Sequence, residues 1–143
     1  MRDILIAKEA LADHAIAVVQ NGAITVSDAR GISPMLDFIG EGKDLCGAAV
    51  ADRIVGRAAA LLFLYAGVRE VWATVISRPA LALLLGAGVA CRYDVLTEYI
   101  VNRKGDGICP MEAATLSVRD PKVAYPILLQ ARDAMRQVAF QKG

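Results

Sequence analysis

Between Leu45 and Tyr93, short apolar segments of strand type alternate with alanine- and leucine-rich segments of helix type. This alternation limits the fold more than any other feature. Leu45–Ala51 is small and apolar and reads as a buried strand. Ile54–Tyr65 reads as a helix, with Gly67 as its C-terminal stop. Val68–Ile76 reads as the next strand. Ser77 can cap the helix that follows, with Pro79 in its first turn and Gly86 beyond its end. Val89–Tyr93 returns as a short strand. Such alternation requires crossover connections that lay helices on a sheet.

The flanks complete an α/β domain with a mixed sheet. Asp3–Asp13 reads as a first helix, because Ile4, Leu5, Ala7 and Leu11 recur near helical spacing. Ala15–Val19 and Ala23–Ser27 flank Gln20-Asn21-Gly22, and Asn-Gly between two β-rich runs signals a hairpin. Ser33-Pro34 reads as a cap and first turn of a short helix ending near Gly40. Asp94 reads as the cap of Val95–Val101, followed by a polar loop over Asn102–Ile108. Cys109-Pro110 opens another short helix. Asp120-Pro121 starts the last one, which Pro126 should kink or delay.

Composition excludes several classes. The chain of 143 residues fits one domain, residues 1–143, with no linker dividing it. Hydrophobic residues make up 56% of it, which raises the question of a membrane. The longest apolar stretches, Ala58–Val68 and Pro79–Cys91, are flanked by arginines and are shorter than the roughly 18–20 residues a spanning helix needs. No membrane association is expected. The excess apolarity suggests a covered sheet and a homo-oligomer, with a symmetric dimer as the commonest form. With 16 basic and 15 acidic residues and no block of one sign, nucleic acid is not an expected partner. Three scattered cysteines do not form a disulfide framework and suit a reducing cytoplasm.

Several residues could carry chemistry. Asp52 and Arg53 sit where a strand gives way to a helix, the edge at which α/β domains usually bind ligands. Arg57 lies four residues beyond Arg53, on the same helical face. Two guanidinium groups beside free helix amides would attract a phosphate or carboxylate. The alternative is an Asp52 cap with exposed arginines. Cys109 precedes a helix start, where the dipole favours a thiolate, and Glu112 follows one turn on. These two read either as nucleophile and carboxylate or as a cap with its capping-box glutamate. Asn102 and Arg103 share their loop with Gly105 and Gly107, which suits close approach to a ligand and equally suits a surface turn.

Together, Asp52, Arg53, Arg57, Asn102, Arg103, Cys109 and Glu112 define one expected cleft for a small anionic ligand. Asp52 or Glu112 would hold a hydroxyl or amine of that ligand. Arg57→Ala is expected to weaken binding and barely alter folding. A metal-independent enzyme using Cys109 with Glu112 or Asp52, and a homo-oligomeric assembly module, are the competing readings. No cofactor fingerprint, P-loop or serine-nucleophile elbow occurs, so no cofactor is expected.

Three segments carry a family resemblance: Cys46–Ala60, Tyr65–Val68 and Asn102–Glu112. With the order helix, hairpin, β-α-β-α-β, the chain resembles the cytidine-deaminase superfamily, and within it an uncharacterised prokaryotic family of zinc-less deaminase-like domains. The resemblance spans roughly residues 15 to 125. It implies a three-layer α-β-α sandwich with a mixed central sheet, and oligomeric relatives. It supplies no activity, since a shared fold does not fix chemistry. A zinc deaminase needs a His or Cys with a glutamate two residues on, and Pro-Cys-x-x-Cys at the next helix start. Here those starts read Val55-Gly56-Arg57 and Pro79-Ala80-Leu81-Ala82-Leu83. His14 is the one histidine, and C-x-x-C is absent. No metal and no zinc-dependent deamination are expected.

Overall fold

The computed structural model describes residues 2–101, 105 and 107–142, with backbone alone from 139. Helix α1 (Asp3–Ala10) continues as a 3-10 turn, Leu11–Asp13, into the hairpin β1 (Ile16–Gln20) and β2 (Ala23–Ser27). Asn21 and Gly22 turn that hairpin at φ 50° and 81°, the left-handed conformations that make Asn-Gly the hairpin signal. Then follow α2 (Ser33–Gly40), β3 (Ala49–Val55), α3 (Arg57–Ala66), β4 (Glu70–Ser77), α4 (Arg78–Gly86), β5 (Ala90–Thr97), α5 (Pro110–Ala114) and α6 (Pro121–Lys142). The five strands form one mixed sheet in the order β2-β1-β3-β4-β5. β1 is antiparallel to both β2 and β3, while β3, β4 and β5 are parallel.

The layers are unequal. Leu61, Leu62 and Phe63 of α3, Leu84 of α4, Met35 and Leu36 of α2 and Leu128 of α6 bury one face together with Val18, Val50, Val71 and Ile76. Among the described residues α1 and its 3-10 turn cover the other face, where Ala7 and Leu11 pack on Ala17, Val19 and Ala51 beside Trp72. Ala58, Ala59 and Ala60 at the start of α3 are all buried. Gly67, at φ 79°, ends α3 in a left-handed C-cap. Ser77 caps α4 by accepting a hydrogen bond from the Ala80 amide at 3.3 Å.

Four expectations change. The strand expected over Leu45–Ala51 runs from Ala49 to Val55, because Gly47 at φ 79° turns the chain first and β-branched Ile54 and Val55 extend the pairing. Asp52 and Arg53 therefore lie inside the strand, and Gly56 is the junction. Val95–Val101 is not a helix. Val95, Leu96 and Thr97 continue β5 and pair with Val75, Ile76 and Ser77. Ser33 sits in the first turn of α2 and does not cap it, the cap position falling on Ile32. Pro126 does not delay α6, which begins at Pro121 and runs through it.

An irregularity runs in line across three strands. The ladder skips Arg53, Thr74 and Asp94. Val50 and Ala73 precede it, Val55 and Ile76 follow it, and all four join the larger core. Strict alternation cannot place both sets on one face. Two successive residues in each strand therefore turn to the thinly covered face: Arg53 with Ile54, Thr74 with Val75, and Asp94 with Val95. Ile54 and Val95 are accordingly more than half exposed.

Candidate functional site

The geometry begins at Gly56. Helix α3 starts there with no Ser, Thr, Asp or Asn of its own to accept its first amides, and its cap residue makes no side-chain bond. Glu112 supplies the missing acceptor from 55 residues away. Its Oε1 accepts from the Arg57 amide at 2.7 Å and its Oε2 from the Ala58 amide at 2.8 Å. Glu112 is buried, and the positive end of the α3 dipole stabilises its carboxylate. A Cβ on Gly56 would fall inside that carboxylate, 2.6 Å from Cδ. The backbone at Gly56, φ −100°, suits any residue. Glycine is needed there for space.

Arg57 returns the connection. Its Nε donates to the Thr115 carbonyl at 2.7 Å and its Nη2 to the Val118 carbonyl. These carbonyls follow the end of α5, where a cation complements the helix dipole. The α3–α5 joint is thus a reciprocal lock: a carboxylate from α5 on the start of α3, and a guanidinium from α3 on the end of α5. Thr115 is fully buried, so breaking the lock strands polar groups. Arg57→Ala is expected to lower unfolding free energy by about 1.5–3 kcal/mol, measured by urea denaturation. Arg57→Lys should recover little of it, because an ammonium lacks the fork that spans two carbonyls. The expectation that Arg57→Ala spares folding is revised accordingly.

Arg53 points the other way. Its Nε donates to the His14 carbonyl at 2.8 Å, and its Nη2 to Leu11 and Ala12 carbonyls at 2.9 Å each. It closes the C-terminal end of the α1 region on the thinly covered face. Arg53 and Arg57 therefore lie on different sides of the sheet. Their i, i+4 spacing is not helical, since Arg53 belongs to β3.

Asp52 is the least expected group. Its row across the sheet is Ile16, Asp52, Ala73, Tyr93, and both Ile16 and Ala73 belong to the larger core. The carboxyl is 8% exposed. Oδ1 accepts from the Arg53 amide at 2.8 Å. Burial pushes its pKa up to about 7, against the lowering effect of the Arg53 and Ile54 amides and the Arg53 charge. These amides belong to the stretch where the ladder skips, so Asp52 also satisfies backbone that the sheet leaves over.

Glu112 meets the start of α3 at the Arg57 amide, while Cys109 stands just before the short helix that carries Glu112. Cys109 holds the N-cap position of α5 without a side-chain cap bond and is partly exposed. Its backbone amide donates to the Ile100 carbonyl at 3.0 Å, and the bridge between Val101 and Ile108 closes the loop before it. Asn102 and Arg103 lie outside the described residues. Glu112 does not form a capping box within its own helix, since its carboxylate is committed to α3. Tyr93, in the row of Asp52, escaped the sequence reading because β5 was expected to end there. Among the described residues no group of three His, Cys, Asp or Glu side chains could hold a metal ion. No described helix is long and apolar enough to cross a membrane. A shallow groove of about 600 Å³ lies at the other end of α3, lined by Leu64, Gly67, Leu83, Val89 and Arg119. It contains none of the expected site residues.

Comparisons with known proteins agree with this architecture. Residues 6–131 match the family model TM1506, described as a domain of unknown function (DUF1893). The crystal structure of a DUF1893 family protein, TM1506 from Thermotoga maritima, superposes with a TM-score of 0.80 at 28% identity. The match covers 91% of this chain and 90% of that one. No curated protein matches.

Proposed function

The chain belongs to the DUF1893 family, a domain family of unknown function, and within it we propose that this protein is a small-molecule binding protein whose site lies between Asp52 and the start of α3. One observation supports this most. Asp52 is a buried carboxyl facing the helical layer in an apolar row, and among the described residues its hydrogen-bond donors are amides of its own strand. Such a group, held in a desolvated place with a pKa near neutrality, is a functional candidate. Glu112 and much of the donor capacity of Arg57 serve the α3–α5 joint, which favours binding over catalysis. The ligand offers a hydroxyl or amine to Asp52, with Cys109 and Arg57 at the margin. Arg53 stands outside this site. A nucleotide-like or phosphorylated metabolite fits the charge that Arg57 lends this edge.

The order helix, hairpin, β-α-β-α-β supports a zinc-less deaminase-like domain, and the three free cysteines suit a cytoplasmic one. A thermal-shift panel of nucleosides, nucleotides and sugar phosphates tests the binding reading. At least one compound should raise the melting temperature of the wild type and fail to do so with Asp52→Asn. A panel without effect at millimolar concentration overturns it.

A second reading, homo-oligomeric assembly, is favoured by a separate observation. Ile54, Val75 and Val95 form one row across three strands on the thinly covered face, with Ile54 and Val95 exposed. Exposed apolar surface of this kind marks an interaction face.

A further inference from the structure

Strand β5 is the last in the sheet and spans Ala90–Thr97. Among the described strands none pairs with its outer edge. Arg92, Tyr93, Asp94 and Val95 are all exposed. An edge like this offers unpaired amides and carbonyls to a further strand. Natural edges are commonly blunted by lysine or proline; β5 contains neither.

Its charges have another pattern. Arg92 and Asp94, of opposite sign, stand two residues apart around Tyr93. Arg92 shares its row with Trp72 and Ala51, on the α1 side, and Asp94 lies on the same side. Tyr93 shares its row with Ala73 and faces the helical layer. Residues opposite one another in an antiparallel pair must face the same side. A two-fold axis at Arg92 would set arginine against arginine, and one at Asp94 would set aspartate against aspartate. An axis at Tyr93 sets Arg92 of each chain against Asp94 of the other, twice by symmetry, with the two tyrosines opposed. Opposite charges and aromatic pairs in such positions stabilise a sheet, whereas like charges destabilise it.

We propose that two copies of this chain pair through β5, antiparallel about Tyr93, to form a continuous ten-stranded sheet. The proposal rests on the oligomeric reading given above and places the contact at the β5 edge of the sheet, not on the Ile54–Val75–Val95 face. Its partner is a second copy because the charge pattern is self-complementary, as an isologous interface requires.

Charge exchange is the test, read by sedimentation equilibrium. Arg92→Asp alone, or Asp94→Arg alone, should raise the dimer dissociation constant by about tenfold, and the double exchange should restore it. Circular dichroism establishes that each variant remains folded. Tyr93→Cys, in a chain whose three cysteines are serine, gives an independent readout. Opposed residues in an antiparallel pair have Cα atoms about 4.5–5.5 Å apart, within disulfide reach. Mild oxidation should cross-link it, and Leu85→Cys on α4 should stay uncross-linked. A dimer that ignores the exchanges and does not cross-link at position 93 overturns the β5 interface and leaves oligomerisation standing. A monomer at high micromolar concentration overturns both.

Discussion

Glu112→Ala is expected to destabilise the protein by about 3–5 kcal/mol, because it removes two charge-assisted hydrogen bonds from the buried start of α3. The amides of Arg57 and Ala58 would then face a space too enclosed to hydrate freely. Domains of this size are stable by only about 5–15 kcal/mol, so the loss should lower the melting temperature by on the order of 10 °C. Glu112→Gln keeps one carbonyl acceptor but lacks the charge, and should lose roughly half as much. Gly56→Ala reaches the same joint from the other side. Its methyl group would occupy the position of the Glu112 carboxylate, and expelling that carboxylate should cost about 2–4 kcal/mol. The two changes should not add, since both break one connection. A Glu112→Ala protein as stable as wild type in urea would contradict the reciprocal lock.

The second large effect is a dependence on pH centred on Asp52. In the unfolded chain this carboxyl loses its proton near 3.8, and in the folded protein only near about 7. Between those values the native state holds the proton that the unfolded state has released. The resulting stability is fully present below about pH 4, declines as pH rises through that window, and is gone above about 7. A shift of roughly three units corresponds to about 4 kcal/mol at 1.36 kcal/mol per unit, and relaxation around the ionised group should reduce this to about 2–4 kcal/mol. Asp52→Asn carries no charge at any pH and keeps an acceptor for the Arg53 amide. It should flatten this part of the profile and exceed wild-type stability at pH 8. Denaturant midpoints at pH 5 and pH 8 for both proteins provide the check. A wild type that gains stability from pH 5 to pH 8 relative to Asp52→Asn would reverse the sign and refute the burial argument.

Much of the fold was legible because local chemistry and tertiary context agree. Asn21-Gly22 specified a hairpin, Gly67 a helix end, and Ser77 with Pro79 a helix start, and each does so in the structure. The errors cluster where charge enters a strand. Asp52-Arg53 and Asp94 read as strand ends because charged residues rarely lie inside a sheet. Here the skipped ladder positions accommodate them: Asp52 takes up strand amides, Arg53 reaches backbone carbonyls, and Asp94 lies on the edge strand. Glu112 and Arg57 meet at the α3–α5 joint, but the roles they have there were not legible. No local pattern shows a carboxylate capping a helix 55 residues earlier. One signal did exist. Val55-Gly56-Arg57 begins a long helix without any capping side chain, so an acceptor had to come from elsewhere.

Asp52 is the residue on which the binding reading and the pH dependence both turn, and its carboxyl carbon can be followed directly by ¹³C NMR between pH 3 and pH 9. A midpoint near 7, far above the ordinary aspartate value, is the expected result for a desolvated carboxyl in the row of Ile16 and Ala73. A midpoint near 4 would mean a solvated carboxylate and would remove the chief support for a ligand site at this position.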